Sequence, residues 1–312
     1  MVTFRITRSV RIFAATVTAI LAVSSCEKYE GEYAAKKKIA AVHVEKSGWY
    51  TSYNDATGNL ERIEYRDTKY KSEDWTWEKR NLLSITRMHQ DGSTDGRETF
   101  TYSGGKLTVR ENRTAGVKTT FTYEDDKIRA IECYIDGQMY STSEITHTGD
   151  KISRIKTDVF SMGRAKDQAG NDMKLALAPY FNYTARKGNP PQDPIYTETL
   201  VVKWSADNIA SVESYNGDRI NCIWHYTYDS KENPLFNFWT KEELAATTLP
   251  TFGSRNNIVS STMLMNGETR ERYDFEYQYD GKYPIVKIRH DSNTPDSQYP
   301  REETVMTEYT YK

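Results

Sequence analysis

The chain has 312 residues, a formal net charge of −2, and 23 tyrosines, 6 tryptophans and 10 phenylalanines. Binding to nucleic acid needs concentrated lysine and arginine. The single basic run, "AAKKKIAA" at 34–41, reads as a solvated tether, so no nucleic-acid partner is expected.

The N-terminus carries an address. Arg5, Arg8 and Arg11 come without an acid, and an apolar or small-residue run extends from Ile12 to Val23. That is the layout of a secretory signal, with a core too short for a comfortable membrane helix of about 20 residues. Val23, Ser24, Ser25 and Cys26 resemble the bacterial lipobox. The resemblance implies cleavage before Cys26, acylation of its thiol with diacylglycerol, and a lipid anchor in the cell envelope. Several acyl chains anchor stably where one is marginal. Glu27 resembles the residue that sends lipoproteins to the outer membrane. Removing residues 1–25 takes away three arginines and no acid, which moves the charge to −5. The expected layout is a signal at 1–25, an acylated tether at 26–37 and a single antiparallel β domain at 38–312.

Along that domain one unit repeats. Trp77 is followed five residues later by Leu82, Tyr102 by Leu107, Tyr123 by Ile128, His147 by Ile152 and Trp204 by Ile209, with turn formers between ("SGGK", "EDDK", "TGDK", "SADN"). "YNDATGNLERI" and "YQYDGKYPIVKI" are looser copies. Consecutive anchors at 77, 102, 123 and 147 lie 25, 21 and 24 residues apart, the length of a β-hairpin. Alternating aromatics and abundant threonine favour strands. The repetition predicts an antiparallel meander of roughly 12–16 strands. A second aliphatic often follows the first at plus three: Ile85, Ile131, Ile155, Val212. In a regular strand that spacing switches face, so a bulge after each turn is expected, bending the sheet. Charges flanking the strands around Trp75 and Phe275 would be costly against lipid, which argues against a membrane-spanning barrel.

Two segments break the meter. Residues 160–198 hold a short helical stretch near 173–178. In 233–257, Thr240 and Glu243 form a capping-box signal for a helix at 241–247, with Pro250 as its stop. Phe236, Phe238 and Trp239 lie just before it.

"HYTYDSKENPLFNFW", followed after a gap by "SRNN" at 254–257, is similar to an uncharacterised group of bacterial lipoproteins with a porin-like, half-open β-barrel fold. The similarity implies that fold over most of the mature chain and no activity. The Tyr-Asp segments also resemble repeats of large secreted shell-forming toxins, but lack their Gly-Arg-Leu and stricter period.

Catalytic motifs are missing. There is no nucleophile elbow, Walker or dinucleotide glycine pattern, and the five histidines are not spaced as metal ligands. Cys133 and Cys222 sit in apolar strand segments; a disulfide is allowed in an oxidising compartment, yet buried free thiols suit that setting better. "DGSTDG" and "DQAGND" read as turns rather than calcium loops. The sequence thus predicts an all-β curved sheet or half-open barrel with one or two short helices in the insertions. It predicts a non-catalytic binding or assembly module without metal or cofactor. Aromatic rings fill such a sheet, or line a groove for a glycan, peptide or protein; the candidates are Trp77, Trp204, Phe236, Phe238 and Trp239. The rival reading is a lipid or acyl-chain carrier with 233–257 as its lid.

Overall fold

A computed structural model describes residues 37–44, 47–79, 81–160, 194–236, 250–292 and 302–312. The signal, Cys26, both expected helices, Phe238 and Trp239 lie outside the described residues. The first nine strands are β1 (Ile39–Val44), β2 (Ser47–Tyr53), β3 (Leu60–Arg66), β4 (Tyr70–Glu78), β5 (Asn81–His89), β6 (Thr94–Ser103), β7 (Lys106–Asn112), β8 (Val117–Glu124) and β9 (Lys127–Ile135). The rest are β10 (Gln138–Thr148), β11 (Lys151–Val159), β12 (Tyr196–Ser205), β13 (Asn208–Asn216), β14 (Arg219–Glu232), β15 (Asn256–Met265), β16 (Glu268–Asp280), β17 (Tyr283–Ser292) and β18 (Glu302–Tyr311).

All consecutive strands pair antiparallel, and β1 pairs with both β2 and β18, from Ile39 opposite Tyr311 to Val44 opposite Thr307. The result is a closed, 18-stranded up-and-down barrel. It is not half-open. The strand that closes it begins just after the lysines at 36–38, at the start of the expected β domain, and Ile39 and Ala41 are buried in it. Lone edges leave a row of unpaired backbone groups, and this strand removes both of them. Pro250 begins a single helical turn, Pro250–Gly253, a position where its missing N–H costs nothing.

The expected bulges are present at every copy. Trp77 faces Leu82 while Thr76 faces Ser84, and the same one-residue slip recurs at Tyr53/Leu60, Tyr102/Leu107, Tyr123/Ile128, His147/Ile152, Trp204/Ile209, Tyr228/Ile258 and Tyr279/Pro284. The tight turns need left-handed backbone, as at Asp125 and Asp126 with φ of 48° and 67°, which aspartate tolerates. All these hairpins turn at one end of the barrel, called the rim here.

Each bulge ends the ladder towards the next hairpin early. Pairing of β7 with β8 starts at Val109–Thr120, so Leu107 lies beyond it. The next aromatic then takes the stranded carbonyl. Tyr53 donates to Ile39 O (2.9 Å), Trp77 to Leu60 O (2.6 Å), Tyr123 to Leu107 O (2.9 Å) and Trp204 to Ile152 O (2.7 Å). Tyr228 does the same for Ile209 O (2.6 Å), Tyr277 for Ile258 O (2.8 Å) and Tyr311 for Pro284 O (2.6 Å). The residue just before each aliphatic reaches the next turn. Lys127 donates to Gly149 O (2.7 Å), Asn59 to Lys79 O (2.7 Å) and Lys38 to Gly58 O, while Lys106 pairs with Asp126.

The face bearing these aromatics is the inner one. Ile63, Trp75, Ile85, Phe100, Phe121, Ile131, Ile145 and Ile155 form one continuous cluster, each 8% exposed or less. Large side chains on a convex face could not be so covered. The opposite face carries exposed Thr76, Thr101, Thr122 and Thr146 and cross-strand ion pairs such as Arg62–Asp74 (2.8 Å). Among the described residues that outer face shows no apolar belt of the kind a lipid-facing barrel requires.

Tyr123→Phe should strand the Leu107 carbonyl and lower the free energy of unfolding by about 1–3 kcal/mol. Tyr50→Phe, on the exposed outer face, should change it by less than about 0.5 kcal/mol. Urea denaturation of the two variants compares them directly.

Candidate functional site

Trp77 and Trp204 both face inward at the rim, but on β4 and β12, far apart around the wall. Their indole N–H groups are engaged by the Leu60 and Ile152 carbonyls, and Lys151 lies over the Trp204 ring at 5.3 Å. The geometry gives both a part in joining hairpins and does not bring them together. Phe236 is half-buried at the start of the 233–257 insertion. Its neighbour Leu235 packs against two clusters, the main belt and the group of Ile39, Val42 and Tyr309 on β1 and β18. The chain leaving β14 therefore crosses the barrel's interior side at the rim. Asn233 holds that crossing, donating to Thr251 O (2.6 Å) and Ser254 O (2.8 Å). Ser254, fully buried, accepts from Ile209 N (3.1 Å). Asn257 donates to the Asp229 carboxylate (3.2 Å) and Asn256 to Lys231 O (2.9 Å). The "SRNN" motif fastens the feet of the insertion.

An eight-stranded barrel is just filled by its own side chains, whereas one of 16–18 strands has room to spare. Where that room is lined by chemistry is decided by a change around the wall. From β3 to β13 the inner face is a buried aliphatic and aromatic belt. Across β14–β18 the same level holds Tyr226, Tyr277 and Lys287, all only half-buried. The next level holds Trp224, Met263, Phe275 and Arg289, and Glu271, Tyr273 and Asp291 extend it. Trp224 stacks on Tyr226 (6.3 Å between centroids, 9° between planes) and on Tyr273 (6.5 Å, 16°). Arg289 lies over the Tyr273 ring at 5.6 Å and forms a two-point pair with Asp291 (2.7 and 2.9 Å). The outcome is a flat aromatic platform ending in charge, and the buried indole N–H of Trp224 has no hydrogen-bond partner.

Two acids and one thiol, Cys222, stand at one edge of the platform. Glu198 accepts from Ser214 (2.7 Å) and Glu271 from Tyr273 (3.0 Å). Burial pushes the Glu198 carboxyl up to about 7. Cys222 is free and buried, its thiol raised to about 11 by burial and by the charges of Glu198 and Glu271. Cys133, also free, is raised to about 11 by burial. Thiols so protonated are poor nucleophiles and poor ligands. Cys222 points inward and His225 outward, since they pair with Ser214 and Ser211 on opposite faces. Among the described residues, no group of three His, Cys, Asp or Glu side chains could hold a metal ion.

Sequence reasoning chose rim aromatics and missed this wall. The available signal was phase: Lys287 and Arg289 in "YPIVKIRH" share parity with the inward aromatics of β16 once the bulge after Pro284 is counted.

No protein-family model matches the chain, and no curated protein matches it. Several solved structures are similar. A porin-like protein from Bacteroides uniformis is 11% identical with a TM-score of 0.45, over 88% of this chain and 96% of that one. A porin-like protein from Bacteroides vulgatus is 10% identical with a TM-score of 0.30, over 88% and 99%. The Photorhabdus luminescens Tc holotoxin pore is 11% identical with a TM-score of 0.34, over 82% of this chain and 14% of that one. Likenesses at such identities and scores carry no residue's role across.

Glu198 holds its proton in the fold up to about pH 7, whereas an unfolded glutamate releases it near 4.5. Between those values the unfolded state binds fewer protons, so stability falls as pH rises, by about 3 kcal/mol in all. Glu198→Gln should therefore raise the unfolding free energy at pH 8.5 and leave it nearly unchanged at pH 4, as read by urea titration at both values.

Proposed function

We propose that this chain is a non-catalytic lipoprotein of the cell envelope that takes a small ligand inside its barrel, against the inner wall of β14–β18. The carrying observation is that the aromatic face is the inside of a closed wall and remains partly accessible along that sector. A folded protein partner cannot reach such a face; a glycan, a short peptide or an acyl chain can. Binding pockets of that kind are mostly apolar with a few placed polar groups, which describes the Trp224–Tyr226–Tyr273 platform with Arg289, Glu198 and Glu271 around it.

The absence of catalysis belongs to this reading. The acids are tied to Ser214 and Tyr273, and the nearest thiol is held protonated. The envelope address rests on the N-terminal basic and apolar run and on the lipobox-like residues ending at Cys26. Lys37 meets Asp280 beside a rim turn (2.8 Å), so the chain enters the barrel at the rim. An anchor on Cys26 would hold the rim towards the membrane and leave the opposite mouth facing away.

Native mass spectrometry of protein extracted from membranes should find a bound mass that denaturation releases. A barrel that is empty, and stays empty with added glycans, peptides and lipids, would contradict the container. Cys26→Ser should abolish incorporation of labelled palmitate and release the protein from membranes; persistent labelling would contradict the anchor.

A further inference from the structure

Among the described residues the inner wall carries its charges in pairs, with Lys287 standing apart. Glu73 meets Arg87 (2.6 Å), Glu98 meets Arg110 and Asp291 meets Arg289, while Glu198 and Glu271 each accept a hydroxyl. Lys287 faces inward between Tyr277 and Thr307 on the neighbouring strands. Its ammonium has no carboxylate and no hydrogen-bond acceptor among the described residues; its contact is the Phe275 ring at 5.1 Å. A half-buried ammonium without a protein acceptor is costly to keep, and folds that keep one usually have a use for it.

What surrounds it indicates the use. The Thr307 and Tyr309 hydroxyls, on the strand paired with Lys287, likewise have no hydrogen-bond partner among the described residues, although both residues are buried. Three donors thus converge on one stretch of wall with nothing to donate to. Among the described residues no acid is recorded against them; the nearest charged neighbour along β17 is the cation of Arg289. Half-buried apolar side chains flank the group on the same inner face: Phe275 on β16, Val44 on β1 and Trp49 on β2.

We propose that Lys287, with Thr307 and Tyr309, receives the carboxylate of a long-chain fatty acid, whose tail lies along Phe275, Val44 and Trp49. The site is cationic, offers two further O–H donors and is apolar on both sides, which fits an anionic head with a hydrocarbon tail better than an uncharged glycan. Burial and the neighbouring Arg289 pull the Lys287 ammonium down to about 8, so an empty site bears a strained charge that an anion relieves. The inference rests on the container reading and narrows it to one ligand class.

The test uses the purified full chain with oleate and its neutral analogue, oleyl alcohol, by quenching of tryptophan fluorescence. Wild type should bind oleate at least tenfold more tightly than the alcohol, the size expected for a charge-assisted contact in a partly buried site. Lys287→Met should lose that preference by weakening oleate alone, and Lys287→Arg should retain most of it. Lys287→Gln provides a second neutral variant, and thermal unfolding by circular dichroism confirms that each folds. Oleate binding unchanged in both neutral variants would overturn the role of Lys287 while leaving the container intact. No binding of oleate or the alcohol to wild type, together with an empty barrel in native mass spectrometry, would overturn both.

Discussion

At seven places around the wall an inward aromatic near the end of a hairpin donates a hydrogen bond to a carbonyl that the neighbouring bulge has stranded, and the barrel depends on that exchange. A bulge bends a strand at the cost of a ladder bond, leaving an acceptor without a partner. Here Tyr123 answers for Leu107, Trp204 for Ile152 and Tyr311 for Pro284. Only an inward ring with a polar tip at its far edge can span that gap while its body joins the belt. Curvature and satisfaction of the backbone are thus supplied by the same residue. Around the wall the last of these contacts, Tyr53 to Ile39 O, lies at β1 itself.

Closure follows from curvature and decides where function can lie. Repeated bulges turn a meander until β18 meets β1, after which the aromatic face is an interior. The rim rings are then occupied: their donors are committed and lysines lie over several of them, as Lys38 over Tyr53 at 4.8 Å and Lys106 over Tyr123 at 5.4 Å. The proposed binding sector is the one where the belt gives way to Trp224, Tyr273, Lys287 and Arg289, so that under the proposal stability and binding are divided between sectors of one wall.

The repeat, its hairpin length and its bulge were legible from the chain, because turn residues and a plus-three aliphatic spacing are local features. The position of His147 in an aromatic slot was legible for the same reason. Closure was not, since β1 is six residues long and directly follows the lysines at 36–38, and only its pairing with Tyr309 and Tyr311 marks it as wall. The helical turn at Pro250–Gly253 was not foreseen, because a proline marks a helix's end and its first residue equally well. The inner charges were hidden by convention: Lys287 or Glu198 on a strand reads as an outward residue until the bulge shifts the phase. Tryptophans drew attention at the rim, where they hold hairpins together, and not at Trp224, where the ring forms a platform.

The central claim is that the wall is closed by β1 against β18 with the aromatics inside. Ala41 and Thr310 are directly opposed across that seam on the outer face, and opposed residues of an antiparallel pair lie within disulfide reach. In the double variant Ala41→Cys with Thr310→Cys, mild oxidation should yield a nearly complete intramolecular disulfide in the folded monomer. A folded β protein that gives no such bond, or only disulfide-linked dimers, would mean that the seam is open and the account of the interior is wrong.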